Sequence, residues 1–374
     1  MEAATAARKK LGETQPRQAA AEKHGPPPRF FVASRAPRRA ILGARSKLPP
    51  GATRLDPTAP KPSWRLRHPA VSRFLRDKLA VFSLGVIVLI VGTALLGPLF
   101  WPHDPAGIDL LKIGQPEPPT WQHPAGIDES GRDMVARLMV GAQISLAVGV
   151  VSMVINLVIG VGLGAAAAWF GGWVDTALMR LVDALYGVPL LLIVILIQLF
   201  VQPLTDGWAD AISDTMRARH GNDWNIPLLL QPDLLSIYLA LGLANWLTMA
   251  RLARAEVMNQ AARDYVAAAR SLGASSHRLV FRHVLPNSMA PLLVAATLAI
   301  PEAIFIEAFL AFIGLGVSAP FASWGTLASD GARQIAAAPH LLLLPAAAIS
   351  VTMLAFNLFG DGLRDALDPG MKDT

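Results

Sequence analysis

The sequence predicts an all-α integral membrane protein with six transmembrane helices, and three observations carry that reading. Of the 374 residues, 53% are hydrophobic and 16% charged, the mean hydropathy is +0.43, and the apolar residues gather in six long runs. A soluble chain of this length would divide into about two or three domains with charged surfaces, which this distribution excludes. The absence of cysteine removes disulfides, thiolate nucleophiles and Cys-built metal sites. The net charge of +6 is unevenly spread: residues 1–78 hold 18 Lys/Arg against 5 Asp/Glu, so the remainder is acidic.

Taken in order, residues 1–78 carry 11 of the 29 prolines and no apolar stretch able to offset the entropy of ordering. They read as a basic, mostly disordered cytoplasmic tail. No short apolar core precedes Leu79, so a cleaved signal peptide is not expected. An Arg-rich transit peptide is the rival, although the segment is Pro-rich and Ser-poor. A basic segment beside a first span is what the positive-inside pattern produces, so no nucleic-acid partner is inferred. Residues 79–100 form the first span, uncharged and about 33 Å long as a helix against about 30 Å of hydrocarbon. Residues 101–140 are a Pro-rich extracytoplasmic connection.

Residues 141–374 form a five-helix core, with apolar runs at 143–169, 184–202, 234–250, 289–316 and 339–360. An acidic extracytoplasmic insertion at 203–232 holds Asp206, Asp210, Asp214 and Asp223. Both outer segments read as partly ordered connectors, with a docking surface as the alternative. Of the 33 Lys and Arg, 27 lie on the tail's side and none within a span, which puts both termini in the cytoplasm. Gly160-x-x-x-Gly164, followed by Ala165 to Ala168, supplies a small-residue face for close helix packing.

The cytoplasmic loop 251–288 is too polar to cross a bilayer, and Ala261, Ala262 and Ala267 to Ala269 favour helix. Gly273 suits a left-handed helix end, Ser275 or Ser276 a cap for a second helix, and Pro286 the end of that helix. Small side chains flanked by Arg263, Asp264 and Arg270 suit insertion into a partner's groove.

Ala268, Ala269, Gly273, Leu285 and Pro286 stand at the spacing of the EAA motif of ABC-importer permeases, with Ala267 at the Glu position and His283 at the Ile position. Four further stretches are similar to the C-type permease subunit of dipeptide, oligopeptide and nickel importers: Asp128 to Gly149, Trp169 to Pro189, Glu307 to Gly325 and Leu354 to Pro369. The resemblance implies the type I importer fold in a bacterial inner membrane. It also implies a partnership with a second homologous permease, two cytoplasmic ATPase subunits or domains, and an external solute-binding protein. Arg263, Asp264, Tyr265, Ala267, Ala268, Ala269, Arg270, Gly273, Leu285 and Pro286 would then couple the ATPase to the spans.

No Gly-x-x-x-x-Gly-Lys-Ser/Thr occurs, so the chain lacks a phosphate cradle. ATP and Mg²⁺ are expected on the partners, with no cofactor and no enzymatic step in this chain. The alternative is a secondary transporter driven by an ion gradient, which would use intramembrane acids. Glu302 and Glu307, five residues apart, are the candidates, for the pathway or for helix packing. At about 100° per residue they lie about 140° apart and share no face. Glu302, beside Pro301, is expected near an outer mouth, and Glu307 inside the bundle or bonded to a neighbouring helix. His103, His123, His220 and His340 show no metal-ligand spacing, and no metal is assigned. Peptide, nickel and other small solutes all stay open as cargo.

Overall fold

The computed structural model describes residues 69–220 and 226–367. Most of the 1–78 tail, Asp223 of the acidic insertion and Lys372 lie outside the described residues. Eleven α-helices occur among them, and the only β pairing is two isolated bridges, Glu117 with Ile127 and Ile127 with Asp133.

After a short α1 (Pro69–Phe74), Asp77 caps the first crossing, α2 (Lys78–Phe100), by accepting from the Leu79 and Ala80 amides at 2.9 and 3.3 Å. Its apolar side chains are largely exposed, Phe100 at 84%, because lipid rather than protein covers them. The connection to α3 is folded rather than partly ordered. Asp128 accepts from the Ser130 and Arg132 amides and pairs with Arg137, while Ile127 is buried. It also ends earlier than 140, since Asp133 caps α3 (Met134–Phe170) through the Ala136 amide at 2.8 Å. At 37 residues, α3 is about 55 Å long and outreaches the hydrocarbon on its own.

The apolar run at 184–202 is not one helix. An amphipathic α4 (Gly172–Tyr186) stops at Gly187, and α5 (Leu190–His220) starts after Pro189. The residue before a proline is pushed out of helical geometry, which puts the break at Val188. In turn α5 runs unbroken past residue 202 and Pro203, so the described start of the 203–232 insertion is helix rather than connector. The next crossing, α6 (Pro232–Ala261), has the most buried window of the six, at 67%.

On the tail's side follow α7 (Asp264–Ser271) and α8 (Ser276–Arg278). A π-helical turn over Leu279–Val284 then leads directly into α9 (Leu285–Phe312). Pro286 therefore does not end the second short helix. It sits in the first turn of α9, where its missing N–H is of little cost, and the wider π turn carries the chain past it. The fifth crossing stops at Phe312 rather than 316, with Gly314 at φ +87°. A short α10 (Trp324–Arg333), capped by Ser323, precedes the last crossing, α11 (His340–Leu367).

The centre of the bundle is the contact of α3 with α6. Gly160 lies against the Met249 side chain and the Trp246 carbonyl, and Gly164 against the Ala250 carbonyl, Ala253 Cβ and the Arg254 amide. A Cβ at Gly164 would stand 2.8 Å from Ala253 Cβ and 3.0 Å from Arg254 N, below normal contact, so only glycine allows this approach. Polar glue lies beside it. The Ser145 hydroxyl donates to Glu307 Oε2 at 3.2 Å and accepts from the Trp324 amide at 3.2 Å, while Trp324 Nε1 donates to the Leu138 carbonyl. Fully buried Glu307 thus ties α9 to α3 and to the start of α10.

Candidate functional site

Two features stand out on this frame: the helix-turn-helix on the tail's side, and a half-open cleft with polar groups beside the α4–α5 break. The helix α7 has one fully buried side chain, with the half-buried Ala269 packed beside it. Val266, 1% exposed, packs with Ala165, Val257, Leu279 and Val284, with Trp169 and Leu285 alongside. Tyr265 adds a polar tie, its hydroxyl lying 3.0 Å from Gln260 Oε1 and 3.3 Å from the His283 carbonyl. Asn287 Nδ2 donates to that same carbonyl at 2.6 Å.

The turn closes as a Schellman motif. Gly273, at φ +85°, donates to the Arg270 carbonyl at 3.0 Å, and Ala274 to the Ala269 carbonyl at 3.1 Å. Ser275 then caps α8 through the Arg278 amide. What remains outward is Arg263, Asp264, Ala267, Ala268, Arg270, Ser271 and Leu272. Leu272 is 90% exposed, a large apolar knob at the tip of a small-residue face. Sequence reasoning missed Leu272; its place between Ala269 and a helix-ending glycine was the available signal. Leu285 and Pro286 stand apart from this face, at the joint with α9, where Leu285 packs into the Val266 cluster.

The cavity of about 400 Å³ is lined by the α4–α5 break, by Asn245 and Thr248 of α6 and by Glu302 of α9. Beside it, ion pairs fasten α4 to α6. Arg254 donates to both Asp175 oxygens at 2.5 and 2.6 Å, Arg251 to Asp183 at 2.6 Å, and the Tyr186 hydroxyl lies 2.6 Å from Thr248 Oγ1. The Arg251 guanidinium also lies 4.0 Å from the Tyr186 ring centroid, a cation–π contact. This ladder carries the chain from Asp175 inward to Tyr186, where Gly187–Pro189 opens the break.

The structure puts Glu302, an exposed residue, on this cleft beside the α4–α5 break. Glu307 faces the other way, with its carboxylate enclosed. The two acids do not meet, so no paired-acid ion site forms between them. Tyr186 was not foreseen as a lining residue, nor Asp175, Asp183, Arg251 and Arg254 as the pairs that hold α4 on α6; the alternation of acids and apolar residues along 173–186 was the legible trace.

Comparison with known proteins shows the family. Residues 158–373 match the family described as binding-protein-dependent transport system inner membrane component, and residues 66–119 match the N-terminal TM domain of oligopeptide transport permease C. The oligopeptide transport system permease protein OppC of Bacillus subtilis (strain 168) is 40% identical over 312 residues, covering 83% of this chain and 92% of that protein. The dipeptide transport system permease protein DppC of the same organism is 38% identical over 313 residues, 83% of this chain and 88% of that protein. The OppC protein of Escherichia coli (strain K12) is 35% identical over 297 residues, 79% and 89% respectively. The chain belongs to the binding-protein-dependent transport system inner membrane components, as a multi-pass permease subunit of an ABC importer that leaves ATP hydrolysis to separate subunits.

Proposed function

We propose that this chain is one of two homologous permease subunits of an ATP-driven importer of di- and oligopeptides, with its tail and its α7 loop in the cytoplasm. The carrying observation is α7 itself: a short helix with an exposed Ala267–Ala268–Leu272 face standing on a single buried anchor, Val266. Such a helix fits a groove on an ATPase subunit, and Arg263, Asp264 and Arg270 supply charged contacts at its rim. Closure of two ATPase subunits around ATP and Mg²⁺ pushes α7. The Val266 cluster passes that displacement to α3, α6 and the π turn ahead of α9, so the bundle moves as packed rods rather than by bending.

Peptide delivered by an external solute-binding protein enters from the opposite face and crosses beside Glu302. In that cavity a carboxylate among Tyr186, Asn245 and Thr248 receives the ammonium end of a peptide, and the hydroxyl and amide groups receive its backbone. Glu307, Ser145 and the α10 start serve packing. The direction of the charge bias, 27 of 33 basic residues on the tail's side, supports the cytoplasmic placement of α7. The family membership favours this reading over one driven by an ion gradient.

The test is uptake of a labelled peptide by the whole complex in proteoliposomes. Uptake should require ATP and persist when an ionophore dissipates ion gradients; loss of uptake on dissipation, with ATP present, overturns the reading.

A further inference from the structure

The connection between α2 and α3 gathers three groups that the transport reading does not use. One ring nitrogen of His103, one of His123 and one carboxylate oxygen of Asp133 lie within 4.8 Å of one another. The imidazole rings stack at 4.6 Å between centroids, tilted by 37°, and Trp101 packs edge-on against His103. Asp133 is 4% exposed and already fixed: its Oδ1 accepts from Trp101 Nε1 at 2.9 Å and from the Ala136 amide at 2.8 Å. Its Oδ2 faces His123 Nδ1 at 2.7 Å.

We propose that His103, His123 and Asp133 form a binding site for one divalent transition-metal ion of the zinc class, on the face opposite α7. Two imidazoles with one carboxylate suit Zn²⁺, whereas Mg²⁺ and Ca²⁺ prefer oxygen donors throughout. A plain ion pair accounts for His123 and Asp133 but leaves out His103, which makes no hydrogen bond among the described residues and yet stacks on its fellow imidazole. At metal–ligand distances of about 2.0–2.2 Å, tetrahedral ligand atoms stand about 3.3–3.6 Å apart, so on loading the His103 nitrogen moves in, and where Asp133 Oδ2 is itself a ligand its 2.7 Å contact with His123 Nδ1 opens by about 0.6–0.9 Å. Because Asp133 is held by the start of α3, these movements fall on the two half-buried histidines. Asp133 then serves either through Oδ2 as a ligand or by orienting His123 from behind, as carboxylates commonly do for metal-bound histidines. Both arrangements need both histidines. The bound ion ties residue 103, just past the end of α2, to the cap of α3, and so staples the connection on which an external partner would land.

The experiment uses the full chain in detergent, carrying no polyhistidine tag, with Zn²⁺ competed against a chromogenic chelator and thermal unfolding followed in parallel. The parent should bind one zinc more per chain than His103→Phe, which keeps the ring packing and the His123–Asp133 pair, or should bind it at least tenfold tighter. Zinc should raise the unfolding temperature of the parent and not that of the variant. His103→Gln should behave like His103→Phe, and His340→Ala like the parent. Equal zinc binding by the parent and both His103 variants, or no stoichiometric binding by the parent, overturns the proposal.

Discussion

Replacement of Gly273 separates a coupling helix from an ordinary surface turn. Its φ of +85° is costly for residues with a Cβ, and a Cβ built there meets nothing within 4 Å. The penalty is therefore one of backbone conformation alone, about 1–2 kcal/mol for alanine and more for a β-branched residue. Its effect is local. With 8 residues, α7 is below the length of about 12–15 at which helices hold themselves, and one buried side chain anchors it. A loss of 1–2 kcal/mol shifts the balance between formed and frayed ends by about 5–30-fold, opening the bonds of Gly273 and Ala274 to the Arg270 and Ala269 carbonyls. Because the chain has no cysteine, a single Ala268→Cys gives a clean crosslinking probe toward an ATPase subunit. Crosslinking and ATP-dependent peptide uptake should both fall in the order Gly, Asn, Ala, Val at position 273, since asparagine tolerates the left-handed region best among the replacements. Membrane abundance should stay level throughout. Parental coupling in Gly273→Val, or a fall in abundance that tracks the fall in uptake, would refute the reasoning.

Two further outcomes follow from the packing and from the cavity. Gly164→Val drives a branched side chain into the Ala250 carbonyl and the Arg254 amide. It should lower bundle stability by about 1–3 kcal/mol, read as a reduced unfolding temperature in detergent, whereas Gly162→Val, whose Cβ meets nothing within 4 Å, should not. Glu302→Gln keeps the shape of the cavity and removes its charge. It should slow uptake of peptides with a free amino terminus about tenfold at saturating binding protein, as expected for loss of a charge-assisted bond of about 1.5 kcal/mol, with little effect on N-acetylated peptides. Equal slowing of both substrates would take Glu302 out of ammonium recognition.

Much of this molecule was legible before the structure because lipid imposes length and charge rules that a single sequence displays. The six crossings needed only apolar runs, and the turn at Gly273 needed only a helix-forming alanine stretch ending in glycine. What stayed hidden depended on pairings between distant segments. Hydropathy averaged over 184–202 smoothed across Val188–Pro189, although the restriction that proline places on its neighbour marked the break. Acids at 175 and 183 were readable as one polar stripe, but nothing in sequence matched them to Arg254 and Arg251, 79 and 68 residues away. Those matches hold α4 against α6. Pro286 misled for a different reason: it stands in the first turn of α9, where its missing N–H costs little, directly after the π turn at Leu279–Val284. The same turn joins the Val266 anchor to α9, the helix that carries Glu302. On the proposed coupling, a push on α7 would reach the cavity through this π turn, where a small change in winding costs less than it would in a regular helix.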